Sequence, residues 1–337
     1  MTGHVLAVRS DSLGDVLVTG PALRALRAGA ERLTLLCGPR GRAAAELLPA
    51  VDELLCFHAP WIDPEPVAVK RSEIAGLVER VEALRVDRAV IFTSFHQSAL
   101  PMALVLRLAG VPWIGAISID YPGSLLDLRH RVDDDIHEVD RALSLAAAAG
   151  FALPEGDDGR LAVRAAPPPV DLPRPYVVVH PGASVRARAW SPERHAELVH
   201  ALAAQGRAVV VTGAPVEGAL TAKVAGSTID LGGRTDLGGL AAVLAGAEAV
   251  IVANTGPAHL AAAVGTPVVS LFAPTVPAVR WRPWGVPHVL LYAPVPCAGC
   301  RARICPVEGH PCLERVTVED VVAALDELAP RPVEVAA

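Results

Sequence analysis

Lysine is almost missing from this 337-residue chain: Lys70 and Lys223 are the only two, and the other 28 basic side chains are arginine. With abundant alanine this matches GC-rich codon usage, so a single arginine is weak evidence of a site. Aromatic residues are few, five Trp, three Tyr and five Phe, which excludes a stacking platform for single-stranded nucleic acid. The 30 basic side chains face 36 acidic ones for a net charge of −6, and no basic footprint for nucleic acid is present. Long apolar runs are lacking as well. Leu240 to Ala253 contains Glu248 and is too short to span a bilayer. The apolar stretch after Met1 is broken by Arg9, Asp11 and Asp15, so no secretory signal is read and a cytoplasmic protein is expected. The GxGxxG fingerprint is absent, which counts against a nicotinamide dehydrogenase.

What the chain does have is apolar mass, 52% of its residues, enough at this length for about two domains with large cores. Short β-branched runs alternate with Ala/Leu-rich segments at helical spacing, the pattern of parallel sheets covered by helices. Strands are expected at 4–9, 33–37, 53–57, 87–93 and 112–117. The rhythm repeats at 176–180, 207–212, 228–231, 248–253, 267–271 and 288–292. Between the halves, five prolines in residues 166–175 forbid helix and favour an extended linker. The expected organisation is an α/β fold of two Rossmann-like doubly wound domains facing across a cleft, 1–165 and 176–337, joined by that linker.

Ligands of such sheets bind beyond the carboxyl ends of the strands, so four loops carry the argument. The first holds Asp11, Ser12, Leu13, Gly14 and Asp15 ahead of an apolar helix. Gly14 lets a ligand approach the backbone, and Asp15 offers a first-turn carboxylate, either to a ligand or to the helix dipole. The second runs from His180 through Pro181, Gly182, Ala183 and Ser184 to Arg188. Small residues and backbone N–H groups at a strand end wrap phosphate, and arginine adds a fork of donors; Ser191 and Pro192 then open a helix. The third holds Thr212, Gly213 and Glu217, where a glutamate can accept from ribose hydroxyls or complement a dipole. The fourth is Asn254, Thr255, Gly256, Pro257, Ala258 and His259, with Pro257 at the start of a helix that stops at Gly265. Its first-turn N–H groups make an anion site suited to a diphosphate, and His259 is either a further donor or a structural histidine.

Together these stretches resemble glycosyltransferase family 9, the bacterial heptosyltransferase family of GT-B architecture. The resemblance rests on LAVRSDSLGDVLVTGPALRAL at 6–26, HPGAS…R.W at 180–190, NTGPAHLAAAVGTPVVSLFAPT at 254–275 and CAGCRARICPVEGHPCLERVTVEDV at 297–321. It implies an inverting transfer of a sugar, heptose from ADP-heptose first among candidates, to a hydroxyl of a cell-envelope glycan or lipopolysaccharide-like acceptor. In that reading Asp15 is the catalytic base. The donor is held by Ser184, Arg188, Thr212, Gly213, Glu217, Asn254, Thr255, Gly256 and His259, and no metal or other cofactor is required. Two positions depart from the family pattern: Arg188 stands where the family has lysine, and Asn254 where it has aspartate. Trp113 replaces an arginine common before Ile-Gly.

The acceptor is expected on the N-terminal half, near Gly14, His96 and Ser98, with Phe95 and Gln97 beside them. Arg40, Arg42, Lys70 and Arg71 could face an anionic, lipid-linked acceptor at the inner membrane face; ordinary solvated charge is the competing reading. Cys297, Cys300, Cys305 and Cys312 have the spacing C-x2-C-x4-C-x6-C, compatible with a structural zinc, although reduced thiols packing a loop are favoured. Cys37 and Cys56 read as small core residues. Two other functions stay open at this point: a catalytically silent nucleotide-sugar binding protein, and a GT-B nucleotide-sugar epimerase.

Overall fold

The computed structural model describes residues 2–164, 167, 168 and 170–330. Of the expected linker, Ala166 and Pro169 lie outside the described residues, as does the C-terminal stretch 331–337 of the second expected domain. The chain forms two compact units, Met1–Arg164 and Ala165–Ala337.

In the first unit the strands are β1 (Thr2–Arg9), β2 (Ala30–Cys37), β3 (Glu53–Cys56), β4 (Arg88–Ile91), β5 (Trp113–Ile117) and β6 (Leu128–His130). They form one sheet in the order β3-β2-β1-β4-β5-β6, every pair parallel. Helices cover both faces, so central strands bury both sides and read as continuous apolar runs, as Val5 to Val8 does. Leu6, Val8, Leu36, Ile91 and Ile114 pack with Leu77, Val81, Met102 and Leu106 of two covering helices.

The second unit repeats the plan with β7 (Tyr176–His180), β8 (Ala208–Val211), β9 (Ile229–Asp230), β10 (Ala249–Ala253), β11 (Val268–Leu271) and β12 (His288–Leu291). Their order is β12-β11-β10-β7-β8-β9, again parallel throughout. Val177, Val179, Val209, Val211 and Ile251 meet Leu198, Leu202, Val321 and Leu325 in its core.

Both sheets have the doubly wound order in which the chain reverses direction beside its first strand. The switch point lies between β1 and β4 in the first unit and between β7 and β10 in the second. The loops after those four strands are therefore where each sheet can hold a ligand, and three of them are loops that the sequence singles out. The strand β6 was not expected from the sequence. It is three residues long, Leu-Arg-His, with no β-branched residue, and it pairs only at the sheet edge.

Candidate functional site

At the first switch point, Arg9 ends β1 with its side chain only 2% exposed. Its Nε stands 3.1 Å from Asp11 Oδ2 and one Nη stands 3.0 Å from Asp15 Oδ1. The same Nη lies 3.9 Å from Glu138 Oε2, from the helix Glu138–Ala148. Asp15 is the third residue of the helix Leu13–Ala28, which Ser12 caps. The Ser12 backbone N–H and hydroxyl both donate to Asp15 Oδ2, at 3.2 and 2.5 Å, so the carboxylate satisfies an orphan donor of the helix start. One edge remains open, and 16% of the side chain is exposed.

Ser94, in the loop after β4, completes the cluster. Its hydroxyl accepts from Arg9 at 3.0 Å and lies 3.2 Å from Asp15 Oδ1 and 3.3 Å from Asp11 Oδ2. The amide of Gln97 donates to Asp11 Oδ1 and its carbonyl accepts from the Ser94 N–H at 2.9 Å. The two aspartates have opposite electrostatics. Burial pushes Asp11 up to about 6, against the pull of Arg9 and helped by the neighbouring Asp15 charge. Burial also acts to raise Asp15, but Arg9 and the Ser12 hydrogen bonds outweigh it and hold the carboxyl below its usual range.

Beside this cluster the first unit has a cavity of about 240 Å³, lined among others by Gln97, Ser98, Asp120, Arg131, Asp134 and Arg141. Ser98 is exposed at its edge, and exposed His96 packs edge-on against Phe95, ring centroids 5.2 Å apart. Gly14 is buried in the first helical turn. Arg40, Arg42 and Lys70 stand with acidic partners, Asp63, Glu46 and Glu73 respectively. Trp113 carries the Arg88 guanidinium 3.8 Å above its ring.

In the second unit, Arg188 ties three loops together. Its Nε donates to Thr275 Oγ1 at 3.2 Å, after β11, and an Nη donates to the Asn254 carbonyl at 3.3 Å, after β10. Asn254 is 6% exposed. Its amide nitrogen donates to the Ala273 carbonyl at 3.2 Å, which orients the group, and its Oδ1 is buried with no hydrogen-bond partner among the described residues. Thr255 precedes the helix Gly256–Ala263, which starts one residue before Pro257. Pro257 carries no N–H and the Ala258 N–H donates to the Thr255 carbonyl at 3.0 Å, so of the first turn the Gly256 N–H is left at the strand end. His259 is buried in that helix with its ring against Trp281, centroids 6.2 Å apart. Ser184 is exposed in the loop after β7. Thr212 is fully buried and its hydroxyl bonds His180 Nδ1 at 3.0 Å. Glu217 caps its own short turn, accepting from the Ala214 N–H at 2.7 Å. Its carboxylate lies over Gly182 and Gly213, where a Cβ on Gly182 would come within 2.1 Å of Glu217 Oε1.

Cys297, Cys300, Cys305 and Cys312 line one small cavity with Ala187 and His310. Among the described residues no group of three or more His, Cys, Asp or Glu side chains could hold a metal ion. No helix among those residues is long and apolar enough to cross a membrane.

Sequence reasoning places Asp15, Arg188, Asn254 and Thr255 at these two points but does not find Arg9, Ser94, Glu138 or Thr275 as their partners. Arg9 and Ser94 are 85 positions apart, and nothing in the local pattern of either announces the other.

The molecule has recognisable relatives. The sequence profile of glycosyltransferase family 9 (heptosyltransferase) matches residues 77–310. No curated protein matches the chain. Among solved structures, the E. coli ADP-heptose lps heptosyltransferase II is 20% identical with a TM-score of 0.74, covering 97% of this chain and 98% of its own. A family 9 glycosyl transferase from Veillonella parvula is 18% identical with a TM-score of 0.75, covering 97% of each chain. E. coli heptosyltransferase WaaC with ADP-2-deoxy-2-fluoro heptose is 22% identical with a TM-score of 0.71, covering 96% and 99%. At these identities the likeness concerns the fold, two parallel six-stranded sheets of the GT-B heptosyltransferases. The profile match spans well over half of the sequence, and the chain, a glycosyltransferase, belongs to glycosyltransferase family 9 (heptosyltransferase).

Proposed function

We propose that the protein moves a sugar, heptose from ADP-heptose by preference, to a hydroxyl of a cell-envelope glycan or glycolipid, with inversion at the anomeric carbon and without a metal. The observation that carries this reading is Asp15, a carboxylate held at the first switch point by Ser12 and Arg9 with one edge exposed. The WaaC structure with an ADP-sugar analogue supports the choice of donor.

In this reaction Asp15 takes the proton of the acceptor hydroxyl. The acceptor oxygen forms its bond to the anomeric carbon as the bond to the diphosphate breaks, and the nucleoside diphosphate leaves with the electron pair. Arg188, the Thr255–Gly256 helix start, Ser184 and His259 offset the charge that gathers on the diphosphate. One such preorganised donor is worth about 3 kcal/mol of barrier. Glu217 and Gly213 hold the ribose side of the nucleotide, where Gly182 leaves room for the glutamate. The buried Asn254 Oδ1 presents an acceptor without a charge, suited to a hydroxyl of the donor rather than to a cation. The acceptor occupies the cavity beside Gln97 and Ser98, with Gly14 and His96 at its border. The site works on the cytoplasmic side, where a lipid-linked acceptor would bring the protein to the inner membrane face.

A carboxylate with a depressed pKa is ionised at neutral pH but is a weak base, so proton transfer comes late, after the glycosidic bond has largely broken. The test is transfer from ADP-heptose by the wild type and by Asp15→Asn, with ADP affinity measured in parallel. Transfer should vanish in the variant while ADP affinity stays within a few-fold. A large loss of ADP binding would instead make Asp15 part of the donor site.

A further inference from the structure

We propose that Asp11 is a positioning residue that stores the reaction's proton, receiving it from Asp15 through the hydroxyl of Ser94. The inference rests on the reading of Asp15 as the base. Its foundation is geometric: Ser94 Oγ lies 3.2 Å from Asp15 Oδ1 and 3.3 Å from Asp11 Oδ2. A serine hydroxyl has one proton to donate, so at any moment it can serve one carboxylate only. Arg9 donates into the same oxygen at 3.0 Å, which fixes the hydroxyl between the two acids and leaves its proton as the mobile element.

The transfer balances without any further reactant. As the acceptor O–H breaks, its proton goes to Asp15 Oδ1. That proton then moves to Ser94 Oγ while the Ser94 hydroxyl proton moves to Asp11 Oδ2. Ser94 ends as it began, Asp15 is again a carboxylate, and Asp11 is a neutral acid that later releases the proton to water.

The charge balance of the cluster favours this direction. Arg9 from β1 faces Asp11 and Asp15 from the first loop and helix and Glu138 from the helix Glu138–Ala148. Arg141 of that helix acts on Glu138 as the second cation. Three acids against two arginines leave one carboxylate in excess, and a buried excess charge is relieved by holding a proton. Asp11 is the more buried of the aspartates, 7% exposed against 16% for Asp15. Its pKa is raised where that of Asp15 is lowered, so the proton runs downhill. Glu138 is also raised by burial, but it has no hydrogen bond to Ser94 and its Oε1 has no hydrogen-bond partner among the described residues. Gln97 fixes the far oxygen of Asp11, so Oδ2 is the one that faces Ser94.

The experiment compares full-length wild type, Asp11→Asn, Asp11→Glu and Ser94→Ala in two ways. In the first, release of ADP from ADP-heptose is followed against pH with deacylated inner-core lipopolysaccharide oligosaccharide as the probe acceptor. The wild-type kcat should fall on the acid side with an inflection near pH 6, as Asp11 fills and can no longer accept. Asp11→Asn and Ser94→Ala should each lose about a hundredfold or more in kcat, the low end for a positioned proton carrier. They should keep KM for the donor within about twofold, an expectation drawn from a role confined to proton transfer, and should lose the inflection. Asp11→Glu should restore it. Equal falls in kcat with the inflection unmoved would show a merely structural role and overturn the proposal, as would an unaltered Ser94→Ala. In the second, infrared titration without substrate should show a carboxylic-acid C=O band that disappears near pH 6. This band should be missing from Asp11→Asn and shifted in Ser94→Ala. Its persistence in Asp11→Asn overturns the storage role even if the wild type proves inactive on ADP-heptose, a result that would count against the proposed function alone.

Discussion

Arg188 shows how much one side chain can organise. It reaches Thr275 Oγ1 and the Asn254 carbonyl with different nitrogens, so its planar fork joins the loops that follow β7, β10 and β11. A lysine would keep the charge on a compact ammonium but not the rigid planar fork. Arg188→Ala should weaken ADP binding by about ten- to a hundredfold, in line with roughly 1.5–3 kcal/mol for hydrogen bonds to charged groups. Arg188→Lys should recover only part of the loss, which isothermal calorimetry would show. Full recovery by lysine would mean that charge alone matters there. The sequence exposes Arg188 because it follows a Gly-Ala-Ser turn at a strand end. Its partner Thr275 is hidden, because a threonine after a strand has no signature until the sheet order sets β11 beside β10. The same holds for Arg9, which reads as an ordinary charge at the end of an apolar strand until Glu138, from a helix far along the chain, joins Asp11 and Asp15 around it.

At the level of elements, the alternation of apolar runs and helical spacing announces nearly every strand, because parallel strands buried on both faces must be apolar throughout. The exception, β6, is short and half-buried, and its pairing depends on β5 beside it rather than on its own residues. What the pattern does not reveal is strand order, and order is what brings the loops after β1 and β4 together. Close backbone approach sustains that junction. A Cβ on Gly38, just past β2, would meet the Ser10 carbonyl oxygen at 2.4 Å and its carbon at 3.2 Å. Both are backbone atoms that cannot swing aside. Gly38→Ala should therefore destabilise the first unit by about 1–3 kcal/mol, the usual range for overpacking, and displace the Ser10–Asp11 peptide. Chemical denaturation would detect the first effect and slower sugar transfer the second; unchanged stability would show that the loop yields freely.

On the scale of the whole molecule, the two units repeat one topology and both bury histidines, His4 and His137 in the first. The second holds His180 and His195 inside, their pKa values lowered from 6.5 to about 4, in both cases by burial first and for His180 also by the neighbouring His195. A histidine kept neutral in the fold contributes stability above its unfolded pKa of 6.5. That contribution is lost as pH falls toward 4, because the unfolded chain takes up the proton first. Each shift is worth about 3 kcal/mol, so melting of the second unit should move to lower temperature between pH 6.5 and 4. Calorimetry of His195→Gln should show a shallower decline, and an equally steep one would place the acid sensitivity elsewhere. Such burial is invisible in sequence, where a histidine after YVVV looks the same whether it faces solvent or core. The central claim is that this glycosyltransferase passes a sugar from a nucleotide to a hydroxyl with Asp15 as the base. The most direct measurement is mass spectrometry of the products after incubation of wild type and Asp15→Asn with ADP-heptose and inner-core oligosaccharide. The account predicts ADP and a heptosylated product in equal amounts from the wild type and neither from the variant. Product formation by Asp15→Asn at the wild-type rate would contradict it.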